Sequence, residues 1–339
     1  MCLCINMGAA CQILINRTEE GYFKAGQCVT GTLKYPIDKP TRYDSIDISF
    51  VGKGRCHWSE TDSQGQTDHF SNEEVYVSIH QNVFTPVGDE MIEPGDYEYP
   101  FEFLLPDDIP SSVKSPNCNI QYKVIVKFAK NKTLSSDYEY GTEVPVYGYV
   151  KPCYLQIKEP LIFGVVKKLL SFNANNKITV KAEIDRTCVN PGESIHLMIT
   201  ATNDSNVAIT IKSELVHCIT YLSSGKVPTK KILTATVTGS EETSPTIKEN
   251  SVTKLARTVQ ILDTLYSIQN SKIMIGEYKV KVTIQVPFPH INADVQVPVV
   301  IGWRREEPES LSYPDEMPPS YSEAINDGTS YVDEYNEKV

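Results

Sequence analysis

The run Pro94-Gly95-Asp96-Tyr97-Glu98-Tyr99-Pro100-Phe101-Glu102-Phe103-Leu104-Leu105-Pro106 decides the fold class. Successive side chains of a strand point to opposite faces, so Tyr99, Phe101 and Phe103 share one face while Glu98 and Glu102 share the other. Three aromatics at a spacing of two make a core face, and the Pro94-Gly95 pair starts a tight turn ahead of it. The stretch is therefore scaffold, and it speaks to architecture before chemistry.

The same period of two extends outward. Tyr278, Val280, Val282, Ile284 and Val286 alternate with Lys279, Lys281, Thr283 and Gln285. Ile178, Val180, Ala182 and Ile184 alternate with Thr179, Lys181 and Glu183, and Tyr122 to Phe128 places Lys123 and Lys127 on its outer side. Pro106-Asp107-Asp108, Asn190-Pro191-Gly192 and Ser223-Ser224-Gly225 supply the turn chemistry between runs. Only Leu161 to Phe172 reads with a 3.6 period, and it predicts a short amphipathic helix carrying Leu161, Ile162, Val165, Val166, Leu169 and Leu170 on one face. Short strands at this spacing without intervening helices predict an all-β protein built of antiparallel sandwiches.

Two echoes suggest that the sandwich occurs twice. Ala25-Gly26-Gln27 opens a strand as Pro191-Gly192-Glu193 does, 166 residues further on, and Tyr122-Lys123-Val124 returns as Tyr278-Lys279-Val280 after 156. Nearly equal offsets are what a duplicated domain with one small length change leaves behind.

At this point the residues resemble a known family. Residues 94–106, continuing through Ile109-Pro110-Ser111-Ser112 to Ile120-Gln121-Tyr122, look like the amino-terminal domain of the arrestin-domain-containing proteins, the alpha-arrestins. Tyr22 to Gln27 with Gly31, and Ile46 to Gly52 with Trp58, are similar to that domain's first strands. Ile178 to Ala182, Pro191-Gly192-Glu193, Gly276-Glu277-Tyr278 and Val297 to Gly302 resemble the carboxy-terminal arrestin domain. The resemblance implies two tandem immunoglobulin-like sandwiches: one over residues 11–158, a hinge over 159–177, a second over 178–302, and a disordered acidic tail over 303–339.

That tail holds the motif that bears on function. Met317-Pro318-Pro319-Ser320-Tyr321 contains Pro-Pro-x-Tyr among ten acids and three bases, so residues 303–339 carry −7 of the chain's −11. Adjacent prolines preset a polyproline II ridge, and an aromatic-lined groove of a WW domain accepts such a ridge with the tyrosine in a neighbouring pocket. Alpha-arrestins carry these motifs to recruit WW-containing HECT ubiquitin ligases of the Nedd4 type. The resemblance thus implies a trafficking adaptor, cytoplasmic and recruited to plasma membrane and endosomes, that binds a receptor or transporter as cargo and promotes its ubiquitination, endocytosis and sorting. Pro318, Pro319 and Tyr321 are the expected partner-binding residues. Many alpha-arrestins present two such motifs, whereas here Tyr313-Pro314 lacks the preceding prolines, so avidity within one tail is lost. A retromer-type sorting subunit or a receptor-desensitising arrestin without ligase recruitment stands as the alternative.

Other classes fit poorly. A body charge of −4 offers no basic field for nucleic acid. Residues 1–10 contain no Lys or Arg and precede no apolar stretch, which argues against a secretory leader, and no apolar run reaches the ~20 residues that span a bilayer. Nine cysteines without a C-x-x-C pair read as reduced thiols, and neither a metal nor a cofactor is expected. Cys2 and Cys4, with Cys11 nearby, have a spacing open to S-acylation and hence to peripheral membrane association. Six histidines show no H-E-x-x-H, and no G-x-S-x-G elbow or phosphate loop occurs, so no enzyme is expected. Gly52-Lys53-Gly54 reads as a strand-end turn. His217 and Cys218 are neighbours on a strand and so face opposite ways, with Cys218 expected as a small buried hydrophobe.

Overall fold

A computed structural model describes residues 11–88, 90–130, 138–152, 160–169, 176–225 and 228–304; among them every regular element is a strand. In the first half these are β1 (Gln12–Ile15), β2 (Phe23–Lys24), β3 (Cys28–Ile37), β4 (Ser45–Thr61), β5 (Thr67–Phe84), β6 (Gly95–Leu104), β7 (Val113–Lys114), β8 (Cys118–Ala129), β9 (Tyr138–Glu143) and β10 (Val146–Tyr147). The second half contributes β11 (Leu161–Lys168), β12 (Lys177–Ile184), β13 (Cys188–Val189), β14 (Ser194–Asp204), β15 (Thr210–Leu222), β16 (Lys230–Thr236), β17 (Glu242–Thr243), β18 (Ser251–Gln260), β19 (Met274–Gln285) and β20 (Ala293–Ile301).

Each half forms a sandwich. In the first, a sheet ordered β1-β3-β6 and the parallel pair β10-β2 belong with a sheet ordered β5-β4-β8-β7, with β9 on the flank of β8. In the second, β11-β12-β14-β18 belongs with β13-β20-β19-β15-β16, and β17 pairs with β15. Alternation builds both cores. β8 turns Cys118, Ile120, Tyr122, Val124, Val126 and Phe128 inward, and β12 buries Ile178, Val180, Ala182 and Ile184 completely. On β6, Phe101 and Phe103 are buried while Glu102 and Leu104 face water.

The duplication seen in the sequence is carried by the backbone. Gly26 and Gly192 both adopt positive φ, +77° and +86°, before the long strands β3 and β14. A Cβ at Gly26 would collide with the carboxylate of Asp107, and one at Gly192 with that of Asp263; the two aspartates are themselves 156 positions apart. The Leu105 N–H donates to the Gln27 carbonyl at 3.0 Å, and the Ile261 N–H does the same to Glu193 at 2.9 Å. Ser112 exchanges bonds with the backbone of Val146 as Ser267 does with Ile301. Left-handed backbone costs an L-residue roughly 1–2 kcal/mol. Gly26→Ala and Gly192→Ala should therefore destabilise more than Gly239→Ala, where φ is +81° but space is open; urea midpoints of the three variants decide it.

Four expectations are corrected. Leu161–Lys168 is not a helix but β11, paired residue by residue with β12, so the second sandwich begins inside the stretch expected to be a hinge. The run also alternates: Leu161, Phe163 and Val165 pack on the second core while Ile162 and Val166 face outward. Its β-branched residues suit a pleated surface better than a helix. Gly52-Lys53-Gly54 lies inside β4 at a register shift rather than in a turn, and its glycines are needed for close approach, Gly52 by the Tyr122 ring and Gly54 by Ile273 and Tyr76. Cys218 is half-buried on the outer face of β15. Trp303, expected in the tail, belongs to the folded body: its carbonyl accepts the Val150 N–H at 2.9 Å and its ring lies 5.0 Å from that of Tyr147.

Candidate functional site

Two apolar cores exist, and the first recruits Tyr221, Ile268, Ile273 and Met274 from the second sandwich. Polar bonds lock this contact. The Asn72 amide donates to the Leu222 carbonyl at 3.0 Å, and the Ser224 N–H to the Ser71 carbonyl at 2.9 Å. The Glu74 carboxylate accepts the Lys272 N–H at 2.7 Å, and the Tyr76 hydroxyl meets Ser271 at 2.8 Å. On the other side Tyr266 donates to the Ser112 carbonyl at 2.8 Å; burial, with Tyr147 beside it, pushes its hydroxyl up to about 12, so it stays a donor at neutral pH. Gln269 bonds both backbone groups of Lys151, at 2.8 and 3.1 Å. These bonds tie the two sandwiches together around an apolar contact.

With that frame set, a groove of about 540 Å³ opens on the first sandwich. One wall is β1 with Ile13, Leu14 and Ile15, the other is Thr142 to Pro145 where β9 leads into β10, and Arg17, Thr18 and Phe23 line it further. Among the described strands β1 pairs only with β3, so its outer edge presents backbone donors and acceptors to the groove. Leu14 stands 41% exposed on that edge. An edge strand, apolar flanks and one cation suit an extended peptide added as a further strand.

A smaller pocket of about 250 Å³ lies on the outer face of the second sandwich, between Cys218, Thr236, Lys279 and Lys281. Its acid is already spoken for. Burial alone would raise the carboxyl of Glu214, but bonds from Lys212 at 3.0 Å and Thr236 at 3.0 Å, with Lys281 nearby, outweigh it and hold the group low. Lys212 is raised in turn, chiefly by its bond to Glu241.

The His217-Cys218 neighbours do face opposite ways. The Cys218 sulfur accepts the Thr234 hydroxyl at 3.9 Å, whereas the His217 ring stacks on Tyr278 at 4.4 Å with its Nε2 buried and unpartnered. Burial lowers the His217 pKa. The unfolded chain, at the ordinary ~6.5, then takes up this proton before the folded one does. Stability from the neutral ring is complete above that value and falls as pH drops below it. His217→Phe keeps the stack and removes the orphaned nitrogen, so it should leave stability at pH 7.5 equal or higher and shrink the loss between pH 7.5 and 5.5; melting temperatures at both pH values check this.

Among the described residues no group of three histidine, cysteine or acidic side chains could hold a metal. Pro318, Pro319 and Tyr321 lie outside the described residues, as do Cys2 and Cys4. The groove beside β1 and the inter-sandwich bonds escaped the sequence reading. β1 is only four residues long, and pairing partners 150 to 200 positions apart leave no local signal.

Residues 11–146 match the family described as arrestin (or S-antigen), N-terminal domain, and residues 174–304 match its C-terminal domain. The chain is similar to human arrestin domain-containing protein 4, 24% identical over 295 residues that cover 84% of this chain and 68% of that protein. It is also similar to human arrestin domain-containing protein 5, 20% identical over 305 residues that cover 84% and 85%. The cattle arrestin domain-containing protein 5 aligns over 298 residues at 22% identity, covering 84% and 88%. Two matched domains in tandem, each folding as a β-sandwich, place this chain in the family of arrestin-domain-containing proteins.

Proposed function

We propose that this chain is a trafficking adaptor that grips an extended segment of a membrane-protein cargo along β1 and recruits a WW-domain HECT ubiquitin ligase through Pro318-Pro319-Ser320-Tyr321. The carrying observation is the Pro-Pro-x-Tyr motif, which begins fourteen residues after Arg304, the last described residue of the arrestin pair. A motif on an acidic segment that follows the binding body in the chain keeps ligase and cargo within one linker length of each other. The groove supports the other half: Leu14 and Ile13 offer apolar contact, Arg17 offers a cation, and the edge of β1 that no described strand covers offers main-chain pairing. Ubiquitin transfer to the cargo, followed by its endocytosis and endosomal sorting, is the expected outcome.

Proximity labelling in cells tests both halves at once. Tyr321→Ala should remove the ligase from the labelled set and keep the cargo. Leu14→Asp, on an exposed position of an edge strand, should remove cargo and keep the ligase. Retention of the ligase by Tyr321→Ala overturns the recruitment half, and retention of every membrane protein by Leu14→Asp overturns the groove.

A further inference from the structure

Cys56 on β4 and Cys118 on β8 stand directly opposite each other in the antiparallel register. The His57 N–H donates to the Asn117 carbonyl at 2.8 Å, so the ladder bonds flank the cysteine pair rather than join it. At such positions facing Cα atoms are ~4.5 Å apart and side chains come closest, inside the ~4.4–6.8 Å that a disulfide spans. Both side chains point to the buried face, each 2% exposed. Each thiol shifts the other, chiefly through its nearness: Cys118 is raised and Cys56 is drawn below its ordinary value. Cys56 passes its own hydrogen on to the Ile273 carbonyl at 3.4 Å. That bond runs from one sandwich into the other. Elsewhere Cys28 faces Leu104, Cys188 faces Val300, and Cys218 faces Glu277 and Thr234, so among the described strand pairs only Cys56 and Cys118 set two thiols opposite each other.

What covers the pair is the second sandwich. Ile273 is fully buried, and Tyr221, 1% exposed, reaches Ser115, whose hydroxyl donates to the Cys118 carbonyl at 2.9 Å. A small oxidant gains access only when this contact opens.

We propose that Cys56 and Cys118 form an oxidisable dithiol latch at the contact between the sandwiches, converted by a hydroperoxide into a cross-strand disulfide. The Cys56 sulfur, as thiolate, attacks the terminal peroxide oxygen. The O–O bond breaks, an alcohol, or water from hydrogen peroxide, leaves, and Cys56 becomes a sulfenic acid. The Cys118 sulfur then attacks Cys56, the S–O bond breaks, and water departs with the Cys118 proton as the S–S bond forms. Two thiols lose two electrons and one peroxide gains them. The oxidised pair has no S–H left to donate, so the Ile273 carbonyl keeps only the Leu222 N–H at 2.9 Å, and the contact loosens. A dithiol reductant resets it.

The test uses the full-length reduced protein, treated with graded hydrogen peroxide, quenched with N-ethylmaleimide and digested without reduction. The expected product is a peptide pair joined through Cys56 and Cys118 that dithiothreitol separates. Cys56→Ser, which keeps a donor for Ile273, and Cys118→Ala should both lack it. Amide exchange over residues 271–274 should rise roughly fivefold in the oxidised protein, the worth of about one net hydrogen bond, and not in Cys118→Ala treated alike. Recovery of Cys56 and Cys118 as maleimide adducts after denaturation, at doses that oxidise the exposed Cys28, overturns the proposal. A linked pair with unchanged exchange overturns the latch.

Discussion

Phe103→Ala is expected to destabilise the first sandwich by about 3–5 kcal/mol, the usual cost of emptying an aromatic site in a core. Phe103 is 1% exposed, with its ring 5.6 Å from that of Phe101 and 6.0 Å from that of Phe50 on the facing sheet. Removing it opens a void between two sheets whose backbones are held apart by their own ladders, so collapse cannot fill the space. Leu104, the next residue, is 62% exposed on the other face of β6. Leu104→Ala should stay within about 0.5 kcal/mol of the parent. Urea unfolding in a Trp303→Phe background, where Trp58 is the remaining tryptophan, reports on this sandwich. Trp58 is itself buried against Phe70 at 5.4 Å. Equal losses for the two variants would contradict the strand assignment of β6.

Tyr321→Ala is expected to weaken WW-domain binding by at least ~2 kcal/mol, or about thirtyfold. Adjacent prolines favour the polyproline II form, so little ordering entropy should oppose binding, but the expected contact is small and a tyrosine ring would supply most of its buried area. Affinity for a single WW domain should accordingly be modest, roughly 1–100 μM, or about −8 to −5.5 kcal/mol. Phosphorylation of Tyr321 should be as damaging as truncation, because about two negative charges would enter a pocket shaped for a neutral ring. Ser320 occupies the variable position, and Ser320→Ala should change little.

What the sequence disclosed follows from the range of the forces involved. Alternation along β6, β8, β12 and β19 is a local consequence of pleating against a core, so Phe103, Tyr122, Val180 and Val280 were legible as inward residues without any partner in view. The repeat was legible for the same reason, since Gly26 and Gly192 answer to local backbone demands. β11 was misread because Leu161 to Phe172 satisfies two periodicities at once. Its length and apolar content fit a helix, and only pairing with β12 selects the strand. Gly52 and Gly54 misled for a related cause: the rings and side chains that crowd them come from β8, β5 and the second sandwich. The groove beside β1 depends on two strand edges brought together by the whole topology, and no residue in it announces the fact. Conversely, Pro318, Pro319 and Tyr321 need no fold to be read, since their chemistry is written in four consecutive positions.

The tail's proposed role, through that motif, is the capture of a WW domain. Isothermal calorimetry of a peptide spanning residues 311–329 against a WW domain from a Nedd4-type ligase measures it directly. A one-to-one complex in the low- to mid-micromolar range is expected, unchanged by Ser320→Ala and weakened at least ~30-fold by Tyr321→Ala. Equal affinity of the wild-type and Tyr321→Ala peptides would contradict it, leaving an arrestin-type double sandwich without a ligase to deliver.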